Sequence, residues 1–226
     1  MTKDYIKSWS SEGVVRYFSF NRNKEADVYN SEKYFLDRFM RSNMSVLDFG
    51  CAAGGFLNVL TSVYGIEEKN YHGVDATPEM LAVARRRFPL AKFHISLEPL
   101  LEQNCSFDFV YSFGVLHMIL DWKENIERLY SLTSKYLGFD LRIYKDGPTI
   151  QDIKKSYQTL QYFEGQKNAG RVPYVILNDH EALATLNAIM QKDDELLQYG
   201  YENAVSETVT SPYKKVYMTS FCIVKK

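Results

Sequence analysis

The sequence predicts an α/β fold: a mainly parallel sheet, covered by helices on both faces, that finishes in an antiparallel hairpin. Three observations carry this. Between Ser45 and Tyr144 short apolar runs alternate with amphipathic helical stretches, a pattern that implies right-handed crossovers between parallel strands. A glycine-rich stretch, "VLDFGCAAGGF" (Val46 to Phe56), sits between the first apolar run and the first helix of that series. After residue 178 the alternation gives way to a helix and two strands joined by "TSPYK", so the sheet should end on an antiparallel pair.

With 226 residues the chain can hold one sizeable core and is short for two. It reads as one domain in four parts. Residues 1–44 form an amphipathic helical cap with a polar break at "NRNKEAD"; "SEKYFLDRFMRS" places Tyr34, Phe35, Phe39 and Met40 near one helical face. Residues 45–144 are the alternating core. "SVLDF" is a buried strand, and "GGFLNVLTSVY" a helix with Gly65 as its C-terminal cap. "YHGVDA" is the second strand. In the helix "TPEMLAVARRRF", Thr77 is the N-cap and Pro78 sits in the first turn, where a missing N–H costs nothing. Met80, Leu81, Ala84 and Phe88 are its apolar stripe. "AKFHIS", "FDFVYSF" and "YLGFDLRIY" are strands three to five, with the helix "WKENIERLYSLTS" between the last two.

Residues 145–178 break the pattern. They start and end on turn residues and hold a helix rich in Tyr and Gln. They follow strand five, on the side where strand C-termini point and ligands of open α/β sheets bind. They read as an insertion that covers the site, or as a surface excursion with no role. Residues 179–226 close the domain with the helix "NDHEALATLNAIM" and the hairpin strands "YENAVSETV" and "KVYMTSFCIVK".

Composition excludes several function classes. A net charge of −1 with scattered Lys and Arg offers no basic field, so no nucleic-acid partner is expected. No apolar run approaches the ~20 residues that span a bilayer, so no membrane is expected either. "MTKDYIKSWSSEG" lacks an apolar signal core. Cys51, Cys105 and Cys222 form no CxxC and no zinc spacing. Free thiols in a reducing cytoplasm, and no metal, are the expectation. Oligomeric state stays open. Aromatics at 15% leave some to spare for lining a pocket.

The glycine turn narrows the ligand. Gly50 ends a strand and Gly54 opens a helix, and a reversal this tight needs positive φ or close backbone approach. Free N–H groups at the helix start would face whatever sits in the turn. A dinucleotide loop reads G-x-G-x-x-G; here the middle glycine is Ala52, and no G-K-[ST] of a phosphate loop exists. The turn therefore suits a close-approaching ligand without a diphosphate. Asp75, at the tip of the second strand, is placed to accept hydrogen bonds from two ribose hydroxyls. The bland alternative, Asp75 as a helix cap, has Thr77 as a better-placed competitor.

"VLDFGCAAGG", "YHGVDATPEMLAVARRRF" and "SFDFVYSFGVLHMI" in this order resemble the Rossmann-like (class I) S-adenosylmethionine-dependent methyltransferases, most closely those that methylate small molecules. The resemblance covers roughly Ser45 to Tyr144. It implies a seven-stranded sheet with one antiparallel strand in a C-terminal hairpin, and S-adenosyl-L-methionine as cofactor. It implies that Asp48 orients the methionine amino group and that the turn of Gly50, Cys51, Ala52 and Gly54 passes under the methionine. It places Asp75 on the ribose, with Ala76 and Met80 against the adenosine. Many relatives end strand three in Gly-Asp; this chain has Ile95-Ser96, so Ser96 or the backbone near Leu97 would take the adenine. Ser112, Phe113 and Gly114 would face the methionine end.

The sulfonium is already a strong methyl donor, so the protein mainly aligns a nucleophile and excludes water. An alcohol acceptor also needs a general base. His117 is the first candidate, or it packs under the cofactor. His72 and His94 read as structural, and His180 as a cap neighbour. Arg142 could pair with a substrate carboxylate or phosphate, or tie down the insertion through Asp140 or Asp146. Tyr157 and Gln161, four apart on the expected helix, could line a polar aromatic pocket with Tyr174 and Asn178, or form a lid core.

Absent motifs weigh against other methyltransferase types. No Asn/Asp-Pro-Pro-Tyr/Phe and no Pro-Cys follows strand four, which argues against DNA amino and cytosine-C5 methylation. "GCAAGGF" is similar to the loop of ribose-methylating RNA enzymes, but the Lys/Asp/Lys/Glu set lacks its Asp after strand four. The expectation is a cytoplasmic methyltransferase acting on O or N of a small-molecule acceptor, with a sugar, nucleotide-sugar or cell-surface precursor first. The alternative is a methyltransferase-like binding or regulatory subunit without catalysis. A nucleotide-dependent oxidoreductase is disfavoured by the glycine spacing.

Overall fold

In the computed structural model, which describes residues 7–161 and 170–226, the first apolar run is strand β1 (Val46–Phe49). Successive side chains of a strand point to opposite faces. Val46 accordingly joins one core cluster and Leu47 the other. β1 pairs in parallel with β2 (Tyr71–Val74) on one side and β4 (Phe107–Ser112) on the other. β3 (Lys92–His94) extends the sheet beyond β2, and β5 (Thr133–Tyr144) extends it beyond β4. Strand order thus reverses at β1, and the crevice beyond the C-terminal ends of β1 and β4 is the place for a ligand.

Helices cover both faces. On one, α2 (Asn30–Phe39), α3 (Gly55–Tyr64) and α4 (Pro78–Arg87) pack Leu36, Leu57, Leu60 and Leu81 against Val46, Phe109 and Tyr111. On the other, α5 (Glu98–Glu102), α6 (Trp122–Ser131) and α7 (Asp179–Ile189) pack Leu100, Ile126, Leu129 and Leu186 against Leu47, Val110 and Leu137. Each such fully buried leucine contributes on the order of 1.5–3 kcal/mol. α3 stops where the sequence places its cap. Gly65 sits at φ +69°, its N–H donates to Thr61 O, and Ile66 N–H donates to Leu60 O.

The sheet closes with β11 (Lys215–Val224), which runs antiparallel between β5 and β9 (Glu195–Ala204). The hairpin and its one antiparallel strand match the expectation, but the bounds differ. β9 begins at Glu195 and ends at Ala204 rather than spanning 201–209. It is a polar, largely exposed edge strand, so its alternation is faint in sequence. An eighth strand, β8 (Leu177–Asn178), pairs in parallel with the end of β5.

Residues 145–178 depart most from expectation. Where a Tyr/Gln-rich helix was expected, the described part holds β6 (Tyr157–Thr159) and β7 (Arg171–Pro173). With β10 (Val209–Thr210), from the loop of the C-terminal hairpin, they form a separate antiparallel sheet in the order β10-β6-β7. The remainder of the expected helix, residues 162–169, lies outside the described residues, as do residues 1–6 of the N-terminal cap. This small sheet roofs the crevice together with α1 (Glu12–Phe20). Val14 and Phe18 of α1 share an apolar cluster with Ala53, Met80, Leu160 and Val172.

Candidate functional site

Beneath the roof lies a cavity of about 780 Å³ that runs along the C-terminal ends of β1, β2 and β4. Its floor is the glycine turn. Gly50 (φ +86°) and Gly54 (φ +74°) take left-handed conformations, and so does Ala52 (φ +47°). A non-glycine residue there carries strain of roughly 1 kcal/mol or more. Gly50 is also required sterically, because a Cβ would sit 2.2 Å from Val115 Cγ2.

The turn's own N–H groups do not form an open anion cradle. Gly50 N and Cys51 N donate to Val74 O, and Gly54 N donates to Cys51 O. Ala52 N donates to Asp75 Oδ2 at 2.9 Å. The start of α3 is covered as well, because Asn21 O lies 2.5 Å from where a Cβ on Gly55 would be. The expected array of free helix-start donors is therefore largely occupied, and a diphosphate has little to bind. Asp75 Oδ1 accepts from Thr77 N at 2.9 Å. The turn before α4 is thus fixed by Asp75, while the Thr77 side chain caps nothing. A carboxylate has about four acceptor sites; these two N–H groups and the Thr77 hydroxyl, which also bonds Asp75, leave acceptor capacity for a ligand hydroxyl. Burial raises the Asp75 pKa, opposed by the bonds from Thr77 and Ala52.

Asp48, at the end of β1, is 4% exposed and accepts from Tyr71 Oη at 2.6 Å. Burial pushes its pKa up to about 6, against the pull of that hydrogen bond. The neighbouring Cys51 thiol is pushed well above its ordinary value by burial and by Asp48 and Asp75, so it is inert as a nucleophile. Ala76, Met80, Leu97, Phe113 and Gly114 also reach the cavity wall. Ser96 does too, and its hydroxyl bonds the Glu98 carboxylate, which Arg128 also holds. Gly54 and Ser112 lie behind the wall, Ser112 fully buried.

At the other end the strand-five exit carries Asp140 and Arg142. The Arg142 guanidinium bonds Asp140 Oδ2, and Asp140 Oδ1 also accepts from Gly114 N. The pairing with Asp140, one of the two partners weighed for Arg142, is the one present. Arg142 also bonds Tyr174 of the roof. Its Nη2 stands 3.5 Å from His117 Nε2. Burial and Arg142 drive the His117 pKa down to about 3, so the ring is neutral at pH 7 and a weak base.

Because β6 is a strand, its faces alternate by one residue. Gln158 faces the cavity, whereas the expected Tyr157 turns away and stacks under Arg171, 4.5 Å from its ring centroid. Tyr157 and Gln161 therefore share no helix face, although Gln161 and Tyr174 do line the cavity. Asn178 instead caps α7, accepting from His180 N and Glu181 N.

The N-terminal cap supplies wall residues that the sequence did not single out, among them Trp9, Tyr17, Arg22 and Tyr29. Arg22 follows α1 in a left-handed conformation (φ +57°). Its guanidinium forks onto Glu32 at 2.6 and 3.0 Å and lies 4.8 Å from the Phe56 ring centroid. Burial opposes the Arg22 charge, and Glu32 outweighs it and raises the pKa. No local spacing ties Arg22 to Glu32 or Phe56, so the sequence offered no signal for it. Among the described residues no group of three or more His, Cys, Asp or Glu is arranged to hold a metal. No described helix is long and apolar enough to cross a membrane.

Comparison with known proteins agrees with this geometry. Protein 235L of Invertebrate iridescent virus 6, provisionally named a methyltransferase, is 26% identical over 127 residues, which cover 56% of this chain and 45% of that protein. The chain thus matches under half the length of that relative. Among solved structures, the N-terminal domain of EvdMO1, determined in the presence of S-adenosylhomocysteine and D-fucose, superposes with a TM-score of 0.58 at 13% identity, over 100% of this chain and 98% of that one. A S-adenosylmethionine-dependent methyltransferase from Clostridium acetobutylicum ATCC 824 gives 0.57 at 15% identity, over 88% and 93%. These likenesses are of fold. Residues 23–139 match the family described as a methyltransferase domain, and by that match, which takes in β1, the glycine turn, Asp75 and most of β5, the chain belongs to the methyltransferase domain family.

Proposed function

We propose that this protein binds S-adenosyl-L-methionine along the cavity floor and transfers its methyl group to O or N of a small molecule held under the roof. The observation that carries the reading is Asp75. Its carboxylate locks the glycine turn and still presents acceptor capacity to the cavity. That arrangement suits ribose hydroxyls and offers no site for a diphosphate. The cofactor, once bound, supplies a sulfonium-activated methyl group.

The chain's own residues do the rest. Asp75 accepts from the ribose, Ala76 and Met80 form the apolar wall beside it, and Ser96 with the Leu97 backbone meets the base. Asp48 lies at the methionine end with Gly114. The roof excludes water and holds the acceptor in line. Its cavity face is rich in amides and hydroxyls, Gln158, Gln161, Asn203 and Thr208 among them, beside Tyr174 and Arg142. Such a lining suits a hydroxylated acceptor, a sugar or nucleotide-sugar first. His117 helps position Arg142 and the roof, since Val175 N donates to its carbonyl at 2.6 Å. It does not take the proton. The site works in the cytoplasm, on neither nucleic acid nor membrane.

Isothermal titration tests the reading directly. Cofactor and demethylated product should bind in the micromolar range, and Asp75→Ala should weaken both by about 100-fold, in line with loss of charged hydrogen bonds. Absence of binding to the unmutated protein would defeat the proposal. The weakly basic His117 favours one competing reading, a non-catalytic binding subunit. Methyl transfer to any member of a sugar, sugar-acid and amine panel, D-fucose included, rejects it; cofactor binding without turnover across the panel supports it.

A further inference from the structure

We infer that Arg22 receives the α-carboxylate of the cofactor's amino-acid end, opposite Asp48, making the N-terminal cap part of the cofactor site. The inference rests on the cofactor reading above. An α-amino acid arrives as a zwitterion, so its site needs one anion and one cation. Asp48 is the anion. Three described arginines line the cavity: Arg22, Arg128 and Arg142. Arg128 is tied to Glu98, which also holds Ser96, and so marks the base end. Arg142 is committed to Asp140 and to Tyr174 of the roof.

Arg22 stands at the remaining end. It lies over Phe56, the second residue of α3, whose ring is 5.4 Å from that of Tyr111 on β4, the strand paired with β1 beside Asp48. Its Nη1 is 3.5 Å from where a Cβ on Gly114 would be. Glu32 takes one N–H from each terminal nitrogen. A guanidinium has five, so three remain, one on each terminal nitrogen and one on Nε, and Nε is buried with no partner among the described residues. Glu32 is 2% exposed, which fixes the plane of the fork before any ligand arrives.

The backbone is fixed too. Arg87 donates to Ser19 O at 2.9 Å and to Ala53 O at 3.2 Å, and Asn58 donates to Asn23 Oδ1 at 2.9 Å. The segment that carries Arg22 is thereby stitched to the glycine turn and to α3. A left-handed arginine held by three such contacts is strain maintained by its surroundings, a common mark of a ligand clamp. Lysine, a point charge, would not reproduce the fork.

The test compares S-adenosylmethionine with decarboxylated S-adenosylmethionine, which lacks the α-carboxylate alone. Both are titrated into the unmutated protein, into Arg22→Gln, and into Arg22→Gln combined with Glu32→Gln, which leaves no unpaired buried charge. The unmutated protein should prefer the intact cofactor at least tenfold. In both variants the preference should fall below twofold, with affinity for the decarboxylated ligand little changed. A preference retained in the variants overturns the assignment, and so does a proportional loss of both ligands, the mark of a merely structural arginine. If the unmutated protein binds neither ligand, the cofactor reading falls with it. If it binds both equally, only the role of Arg22 falls.

Discussion

The floor and the roof of the cavity are built in opposite ways. Floor residues come from neighbouring strand tips and the turns after them: Asp48 and the glycine turn after β1, Asp75 after β2, Ser96 after β3 and Gly114 after β4. Each is fixed by short-range bonds, such as Ala52 N to Asp75 and Gly50 N to Val74 O. Roof residues come from three distant stretches: α1 and its flanks, β6 and β7 with their described flanks, and the end of β9 with the loop bearing β10. A parallel sheet delivers its strand ends to one edge whatever the helices between them do. A roof exists only once separate segments have found one another. The floor therefore suits a constant ligand, and the roof is the part free to set the acceptor.

The contrast yields tests that break or sharpen it. The largest effect belongs to the floor: Asp75→Ala should cost about 100-fold in cofactor affinity while leaving Asn203 and Gln158 in place, read by titration. Next is a pH effect at Asp48. Its folded pKa, about 6, lies above the ordinary unfolded value, so the folded state holds the proton more tightly. Stability from this group is full below about pH 4 and is lost as pH rises toward 6. Asp48→Asn should remove that loss, gaining on the order of 2 kcal/mol at pH 8 in urea melts. His117 acts in the opposite sense, since its lowered pKa costs stability as pH falls from 6.5 toward 3. The difference between variant and unmutated protein isolates Asp48.

The roof should answer differently. Gln158→Ala should raise acceptor KM about tenfold with cofactor affinity within twofold, since it removes hydrogen bonds to the acceptor alone. An equal loss of cofactor affinity would erase the distinction between floor and roof. The smallest effect is at Ala52→Gly. It relieves a left-handed alanine but frees the unfolded chain, so the melting midpoint should correspond to a change within about 1 kcal/mol.

What the sequence discloses follows the same division. The β1–turn–α3 unit was legible because glycines at fixed offsets report backbone conformation directly, and Gly65 marks the end of α3 for the same reason. Ala52 was read as an obstacle to a diphosphate; its left-handed φ shows the turn keeps the glycine-like shape regardless, and the donors' internal bonds are what close it to phosphate. The roof was read one residue out of phase. Period-2 strands as short as β6 give three residues of signal, too few to oppose a Tyr/Gln pair at helical spacing, so Tyr157 was favoured over Gln158. Arg22 was invisible because its role depends on Glu32, Phe56 and Gly114, and no local spacing relates them.

The position of β11 has a consequence for how the molecule comes into being. It follows both β5 and β9 in sequence yet lies between them. On the ribosome, β9 emerges with no sheet neighbour to join and waits, edge exposed, until β11 follows. Until then β5 is a sheet margin, and β1–β5 with the short β8 are the largest sheet the nascent chain can assemble. The floor can thus form, and meet its ligand, while the roof strand β10 and the strand that locks the sheet are still being made. A ligand present during synthesis would act on an intermediate that already displays its binding surface, and the exposed margins of β5 and β9 are where such an intermediate is open to aggregation.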